Sequence, residues 1–311
     1  YRRGSELKRL HGVVTAMVTP FDKQGRIQFD KMEELTEFLI SKGVNGLFPL
    51  GTTGEMLRIS AAERKAVAET VIRAAKGRVA VFVHVGAMNE EETVELARHA
   101  YDAGADGIGV VTPVYFHAND RELENYFVKV ASSVPDDFPV YLYSIPQCAG
   151  NDIKPEVAQR VADRCRNVVG IKYSYPDFLR VNEYLLINNG DFSVLPGTDR
   201  LFLAGLAMGC DGVVSGVSCA YPEPFVAVYR AFLENDLAKA RKMQRIATRY
   251  CEVLRNGSNM SYFKEALKMR GIDVGSVKAP QLDLTAEERN DLEEALNRLR
   301  EEAGEWFEQS D

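Results

Sequence analysis

The segment NVVGIKYSYPD (residues 167–177) ends an apolar run on a lysine. Val168, Val169 and Ile171 are typical of a parallel strand buried on both faces, where lysine is rarely found without a partner. Lys172 therefore either extends its charged end into water or serves as a reactive amine. Burial of a lysine favours the neutral amine, which attacks a ketone to form an imine. The protonated imine then accepts the electron pair of a breaking C–C bond.

A second motif, GTTGE (residues 51–55), joins a predicted strand to a helix. Gly51 permits close approach of the backbone, and Thr52 and Thr53 supply hydroxyl and amide groups that suit a small anion such as a carboxylate. The alternative is a connecting loop in which threonine only caps the following helix.

Two tyrosines follow predicted strands, Tyr143 in VYLYSIP and Tyr115 in TPVYFH. Pro113 and Pro146 favour turns after both strands. Tyrosine hydroxyls beside an imine relay protons without adding charge. Either ring is equally consistent with simple packing, so the two tyrosines support imine chemistry only in combination with the lysine.

Eight short apolar runs alternate with segments of helical periodicity. The runs are residues 12–20, 45–50, 78–85, 106–113, 138–146, 167–172, 192–197 and 211–218. Strict alternation of strand and helix predicts parallel strands with right-handed crossovers, and eight such units match a closed (β/α)8 barrel. An open doubly wound sheet is the rival, but no G-x-G-x-x-G turn follows the first run.

The strand-like runs stop near residue 235, and about three helices are predicted after it, including residues 261–271 and 285–307. No linker rich in proline, glycine or serine precedes them. We therefore expect a barrel catalytic domain over residues 1–235 and a helical extension over residues 236–311, packed on the barrel.

Composition excludes several other classes of protein. The 311 residues carry a formal net charge of −7 with no long basic block, so nucleic acid is not an expected partner. No apolar run has the length of a membrane span, and the five cysteines show no C-x-x-C pair, so we expect a soluble, cytoplasmic protein. The four histidines are too widely spaced to predict a metal site.

In a (β/α)8 barrel, active sites form at the carboxyl ends of the strands. The residues predicted there are Thr19, Thr52, Thr53, Tyr115, Tyr143, Lys172, Gly197 and Asp199. This ring contains one lysine, several hydroxyls and neither a carboxylate pair nor a metal cluster. It predicts imine chemistry without a metal or organic cofactor.

These motifs, in this order, resemble the dihydrodipicolinate synthase and N-acetylneuraminate lyase family of pyruvate-dependent class I aldolases, over about residues 12–295. By this resemblance GTTGE would hold the pyruvate carboxylate through Thr52 and Thr53, with Gly51 in the same loop. GIKYS would carry the imine lysine, Lys172, and LYSIP the catalytic acid/base, Tyr143.

The same resemblance implies further roles. TPVY would supply the second tyrosine of the proton relay, Tyr115, which in the synthases reaches the site of a neighbouring subunit. PGTD and GVVSG would line the pyruvate pocket through Gly197 and Val214. The resemblance also implies a homotetramer whose ligands are a 2-oxo acid and an aldehyde.

Departures from the family pattern bear on the second substrate. Synthases carry an arginine where this chain has Cys148, and a thiol cannot make the bidentate, charged contact that a carboxylate requires. The loop YSIPQCAGNDI is more similar to 2-keto-3-deoxy sugar acid aldolases, although Ser144 and Val114 depart from those too.

Reversible cleavage of a 2-keto-3-deoxy sugar acid to pyruvate and an aldehyde is therefore the predicted activity. Dihydrodipicolinate synthesis, N-acetylneuraminate lyase-like activity and a hydratase-aldolase acting on another aldehyde stay open. A non-catalytic sensor of 2-oxo acids is an alternative of another class, but binding alone does not require both tyrosines and the lysine.

Overall fold

The computed structural model describes residues 7–257 and 259–304, and these contain eight strands and twelve α-helices. The strands are β1 (Gly12–Ala16), β2 (Gly46–Phe48), β3 (Ala80–His84), β4 (Gly107–Val111), β5 (Val140–Ser144), β6 (Val168–Tyr173), β7 (Ser193–Pro196) and β8 (Gly212–Ser215). The helices are α1 (Phe29–Ser41), α2 (Ala61–Ala75), α3 (Glu90–Asp102), α4 (Asp120–Ala131), α5 (Pro146–Ala149), α6 (Pro155–Arg164), α7 (Phe178–Tyr184), α8 (Phe202–Met208), α9 (Pro222–Leu233), α10 (Leu237–Val253), α11 (Met260–Met269) and α12 (Ala286–Ala303).

All eight strands belong to one parallel sheet that runs β7-β6-β5-β4-β3-β2-β1-β8. The amide of Asp211, just before β8, donates to the carbonyl of Val194 in β7 (3.1 Å), which brings the two ends of the sheet together. The predicted (β/α)8 barrel with a C-terminal helical extension is confirmed.

Most strands are shorter than the apolar runs that predicted them, because those runs continue into buried loops. The run 211–218 contains β8 and then a short 3-10 turn, Val217–Cys219. The run 138–146 ends at Pro146, which opens α5, since proline fits the first turn of a helix, where its missing N–H is not needed.

Local signals account for several helix ends. The Ser60 hydroxyl accepts from the Glu63 amide, and the Glu63 carboxylate accepts from the Ser60 amide, which forms a capping box at the start of α2. Gly43 and Gly104 follow α1 and α3 with φ of +87° and +89°, a left-handed conformation that costs glycine little.

The apolar core has two layers. Inside the barrel, Phe48, Tyr141 and Leu195 belong to one buried cluster, whereas the side chains between strands and helices form a second, larger cluster. Ile171 and Tyr173 of β6 belong to this outer cluster. Because successive side chains of a strand point to opposite faces, Lys172 between them points into the barrel.

The C-terminal helices share the outer core with the barrel. Met243 of α10, Phe263 of α11 and Leu292 of α12 are buried in that cluster. Helix α10 begins after the cap residue Asp236, at the predicted end of the barrel. Residues 305–311, which include the end of the last predicted helix, lie outside the described residues, as do residues 1–6. Among the described helices, none combines the length and apolar character that crossing a membrane requires.

Candidate active site

Lys172 lies near the carboxyl end of β6 with only 6 % of its surface exposed. Its Nζ lies 4.0 Å from the centroid of the Tyr143 ring and 4.9 Å from that of Phe48. Within the described residues, 7–257 and 259–304, the Lys172 Nζ makes neither a hydrogen bond nor an ion pair. Aromatic faces therefore position this amine, and its hydrogen-bonding capacity is left for a ligand.

Tyr143 stands beside Lys172 because the two residues are register partners on the adjacent strands β5 and β6. The Tyr143 hydroxyl shares a hydrogen bond of 3.0 Å with Oγ1 of Thr52. The tyrosine ring is 1 % exposed, whereas Thr52 is half-buried. A chain of two hydroxyls thus leads from the ring that covers the amine to the loop after β2.

The loop that carries Thr52 has an unusual backbone. Leu50 and Glu55 adopt left-handed conformations with φ of +66° and +59°, which are uncommon for residues with side chains. A Cβ on Gly54 would lie 3.0 Å from the Leu50 nitrogen, so a side chain there would press on the backbone of the loop. The amides of Thr52 and Thr53 donate to no other group in the described chain, which leaves them available to an anion.

A cavity of about 360 Å³ collects most of the predicted site residues. Thr52, Thr53, Tyr143, Lys172, Gly197 and Val214 all line it. Gly51 lies behind this surface, where a Cβ would come within 3.2 Å of the Phe48 ring. Side chains from five strand ends or following loops thus converge on one space, as the barrel requires.

Tyr115 is not brought to this cavity by its own chain. It is 83 % exposed, has φ of +73° and packs edge-to-face on the equally exposed Phe116, with ring centroids 5.0 Å apart. Its predicted role therefore depends on a second copy of the chain, as the resemblance implied.

The β7 side of the cavity is polar. The amide of Gly197 donates to the Tyr173 carbonyl (2.8 Å), and a Cβ on Gly197 would overlap the Ser174 hydroxyl at 1.9 Å. The Asp199 carboxylate lines the same side and accepts the Val217 amide at Oδ2 (3.3 Å), whereas its buried Oδ1 has no partner among the described residues. Burial raises the pKa of Asp199 to about 6.

The C-terminal extension supplies part of the wall, which the sequence interpretation missed. Asn256, Gly257, Met260 and Phe263 line the cavity. A signal was present in the sequence, because residues 260, 264 and 267 share one helical face and place a lysine between two apolar residues.

That lysine, Lys264, is buried in α11 and is 2 % exposed. Its Nζ donates to the Thr19 carbonyl (2.7 Å), to the Glu55 carboxylate (2.8 Å) and to the Ser276 carbonyl (2.8 Å). Burial lowers the pKa of Lys264, and Glu55 opposes this shift. Glu55, the last residue of GTTGE, thereby ties the Thr52 loop to the C-terminal extension.

The comparisons with known proteins agree with this geometry. The model of the Dihydrodipicolinate synthetase family matches residues 9–299. The chain belongs to this family. It is a lyase of the dihydrodipicolinate synthetase family, with the match spanning both the barrel and the C-terminal helices.

Individual relatives carry different names. The 4-hydroxy-tetrahydrodipicolinate synthase of Methanocaldococcus jannaschii is 34% identical over 288 residues, which cover 93% of this chain and 98% of the relative. A probable 2-dehydro-3-deoxy-D-pentonate aldolase of Escherichia coli is 36% identical over 244 residues, which cover 77% of this chain and 80% of the relative. A prophage protein of the same family from Escherichia coli K12, crystallised in complex with pyruvate, superposes with a TM-score of 0.88 at 32% identity, covering 93% of this chain and 98% of that one.

The mouth of the cavity is where this family member departs from the synthase pattern. Cys148 is exposed and lines the mouth together with Ile145. Partial burial raises the pKa of its thiol. Arg58 lines the same opening, and Nη1 of its guanidinium donates to Glu55 (2.8 Å) and Gln281 (2.8 Å).

Proposed function

We propose that this lyase is a class I aldolase that forms an imine between Lys172 and a 2-oxo acid. The observation that carries the proposal is a buried amine with no polar partner in the described chain, set against the ring of Tyr143, whose hydroxyl is bonded to Thr52. A structural lysine at this depth would be paired, as Lys264 is.

The proposed cleavage begins with the substrate carboxylate on the hydroxyl and amide groups of Thr52 and Thr53. The Lys172 nitrogen attacks the keto carbon, and loss of water gives the protonated imine. Tyr143 accepts the proton of the hydroxyl at the bond to be broken, as its own proton moves along the hydrogen bond to Thr52 and the Thr52 proton leaves to solvent from the half-buried loop. The C–C bond breaks, its electron pair moves into the imine, and the aldehyde leaves. Protonation of the enamine and hydrolysis then release pyruvate and the amine.

A 2-keto-3-deoxy sugar acid is the substrate class we propose. The Asp199 carboxylate lines the β7 side of the cavity and offers an acceptor for a substrate hydroxyl there. At position 148 the thiol offers no charged, bidentate contact to a second carboxylate. The similarity to a probable 2-dehydro-3-deoxy-D-pentonate aldolase supports the same class.

Dihydrodipicolinate synthesis is the second candidate, favoured by the relative of that name at 34% identity. In this chain the electrophile's carboxylate would lack an arginine at position 148. We therefore expect a weaker KM for such an electrophile rather than the loss of imine formation.

We also propose that the protein acts as a homotetramer in which Tyr115 completes the relay of a neighbouring copy. The exposed Tyr115, which has a left-handed backbone, and the exposed Phe116 beside it support this arrangement. The extension from residue 236 would then be part of the catalytic unit, since α11 both lines the cavity and holds Glu55. Light scattering of the wild type and of Phe116→Asp, with pyruvate release from the sugar acids below measured for both, tests this proposal, because a charge in the contact should dissociate the oligomer and lower turnover.

Product analysis tests the substrate class. The enzyme is incubated with 2-keto-3-deoxy pentonates and hexonates, and pyruvate release is followed with lactate dehydrogenase, with Lys172→Ala as the matched control. We expect the wild type to release pyruvate and Lys172→Ala to release none. No release, combined with rapid condensation of pyruvate and aspartate semialdehyde, would favour the second candidate. A Cys148→Arg variant should shift the preference towards that electrophile.

A further inference from the structure

His84 lies at the carboxyl end of β3, 1 % exposed and outside the lining of the Lys172 cavity. Its ring packs edge-to-face on Tyr143 (centroids 5.7 Å apart) and is tilted against Phe48 (5.9 Å). It therefore lies directly behind the two rings that cover the amine. No role has been given to it so far.

The hydrogen bonds of the imidazole assign its tautomer. The Val111 amide can only donate, so Nε2 accepts from it (3.2 Å) and carries no proton. Nδ1 must then carry the proton and donate to the carbonyl of Leu50 (2.9 Å). Burial, with Arg64 and Lys172 adding positive charge, holds the pKa of His84 well below its ordinary value, so the ring is neutral.

The surroundings hold the ring in this position. The buried Arg64 guanidinium donates to the carbonyls of His84 (3.0 Å) and Gly86 (2.8 Å). A Cβ on Gly86 would come within 2.8 Å of the imidazole, so glycine leaves the space that the ring fills. The His84 amide also donates to the Pro49 carbonyl (3.1 Å).

His84 thus holds two consecutive carbonyls, of Pro49 and Leu50, immediately before the loop that carries Thr52. Leu50 is the residue with φ of +66°, and such a conformation persists only where its surroundings impose it. The backbone conformation at Leu50 sets the position of the Thr52 hydroxyl relative to the hydroxyl of Tyr143.

We propose that His84 is a positioning residue: its neutral Nδ1–H holds the Leu50 carbonyl and thereby presents the Thr52 and Thr53 groups to the 2-oxo acid carboxylate. This inference rests on the proposed function. It predicts an effect on the affinity for pyruvate that is larger than the effect on the chemical step.

Two amide substitutions separate the two hydrogen bonds of the ring. His84→Asn keeps a donor near the place of Nδ1, whereas His84→Gln places its amide near Nε2 and leaves the Leu50 carbonyl without a donor. We expect His84→Gln to raise the pyruvate concentration for half-maximal imine trapping by borohydride about 10-fold, the usual cost of one lost hydrogen bond. His84→Asn should stay within about 3-fold of the wild type, and kcat should fall less than the affinity in both.

Amide hydrogen exchange of residues 51–56 supplies a readout that does not depend on turnover. Faster exchange in His84→Gln than in His84→Asn, at matched thermal stability, supports the positioning role. Equal exchange and equal pyruvate affinity in the two variants, with normal trapping in the wild type, would overturn the role of His84 alone. Absence of trapping in the wild type would overturn the proposed function, and this inference with it.

Discussion

The two buried lysines of the described chain, Lys172 and Lys264, differ in what surrounds their side-chain nitrogen. Lys264 donates three hydrogen bonds, one of them to the buried Glu55 carboxylate. Lys172 has two aromatic faces and no polar partner in the same described region. Both lysines are therefore buried, and they differ in whether the amine already donates hydrogen bonds to the described residues.

This comparison shows why depth alone does not identify a reactive amine. A lysine that meets a carboxylate and two carbonyls is held in place and stabilises the charged form, so it joins segments of the chain. A lysine held by rings at the wall of a cavity can approach a carbonyl carbon without first breaking such bonds. We therefore expect replacement of Lys172 to lower activity and replacement of Lys264 to lower stability.

Replacing Lys172 is expected to have the largest effect on activity. Lys172→Met should lower kcat/KM for aldol cleavage at least about 10⁴-fold, because no other described lysine lines the cavity. The melting temperature should stay the same or rise, since methionine fills the space between Phe48 and Tyr143 without a buried amine. Steady-state kinetics and calorimetry measure the two quantities. A large loss of stability would mean that Lys172 has a structural role like that of Lys264.

Replacing Lys264 should show the opposite behaviour. Lys264→Met leaves the Glu55 carboxylate buried without its main partner, which we expect to cost about 3–5 kcal/mol in the free energy of unfolding. The double variant Glu55→Leu/Lys264→Met should recover part of this loss, because no buried charge is left unpaired and Arg58, which also loses Glu55, is partly exposed. Denaturant titration of the wild type, the single variant and the double variant measures the free energy of unfolding. A single variant as stable as the wild type would show that the ion pair does not anchor the loop.

Removing the hydroxyl of Tyr143 should spare the amine but slow proton transfer. For Tyr143→Phe we expect a fall in kcat of about 10²–10³-fold, the usual contribution of a positioned acid/base group. Imine trapping with pyruvate should continue, since the ring beside Lys172 remains. Thr52→Val serves as the companion variant, with a smaller loss. Equal loss of trapping and turnover would show that the hydroxyl is needed to form the imine as well.

Asp199 is a second buried carboxylate, but unlike Glu55 it has no lysine partner in the described chain, and its contribution to stability should depend on pH. Its pKa is raised from 3.8 to about 6 in the fold, so the stability that its protonation contributes is present below pH 3.8 and is lost as the pH rises through 6. Asp199→Asn should therefore be more stable than the wild type at pH 7.5, by at most about 3 kcal/mol, with a smaller difference at pH 5. Unfolding at the two pH values measures the change. An advantage that is larger at pH 5 would contradict the assignment.

The smallest effect concerns the mouth of the cavity. Cys148 is exposed, whereas the other four cysteines of the chain are buried, so one thiol should react with a disulfide reagent in the native protein while the other four stay protected. Saturating pyruvate should slow this reaction by a few-fold at most, because Cys148 lies at the opening rather than beside the amine. Cys148→Ser is the control and should show no fast phase.

The barrel and most of its cavity were predictable because both follow from local patterns. Alternation of strands and helices determines the parallel order of the strands, and the carboxyl ends of parallel strands meet at one face. Lys172, Tyr143 and Thr52 could therefore be grouped before any distance was known. The capping box of α2 was likewise readable from two residues at a fixed spacing.

The roles of Lys264, Glu55 and His84 were not predicted because their partners are distant in the sequence. Lys264 lies 209 positions from Glu55, and no local pattern reports that pairing. The tautomer of His84 depends on which backbone groups surround the ring. The role proposed for Tyr115 depends on assembly, which a single chain does not determine.

Site-resolved trapping tests the central comparison most directly. The wild-type enzyme is incubated with pyruvate and borohydride, digested, and the reduced adduct is mapped by mass spectrometry with separate quantification of the peptides that contain Lys172 and Lys264. We expect an adduct on Lys172, none on Lys264, and no adduct in Lys172→Ala. An adduct on Lys264 or another lysine, or no adduct at all, would contradict this expectation.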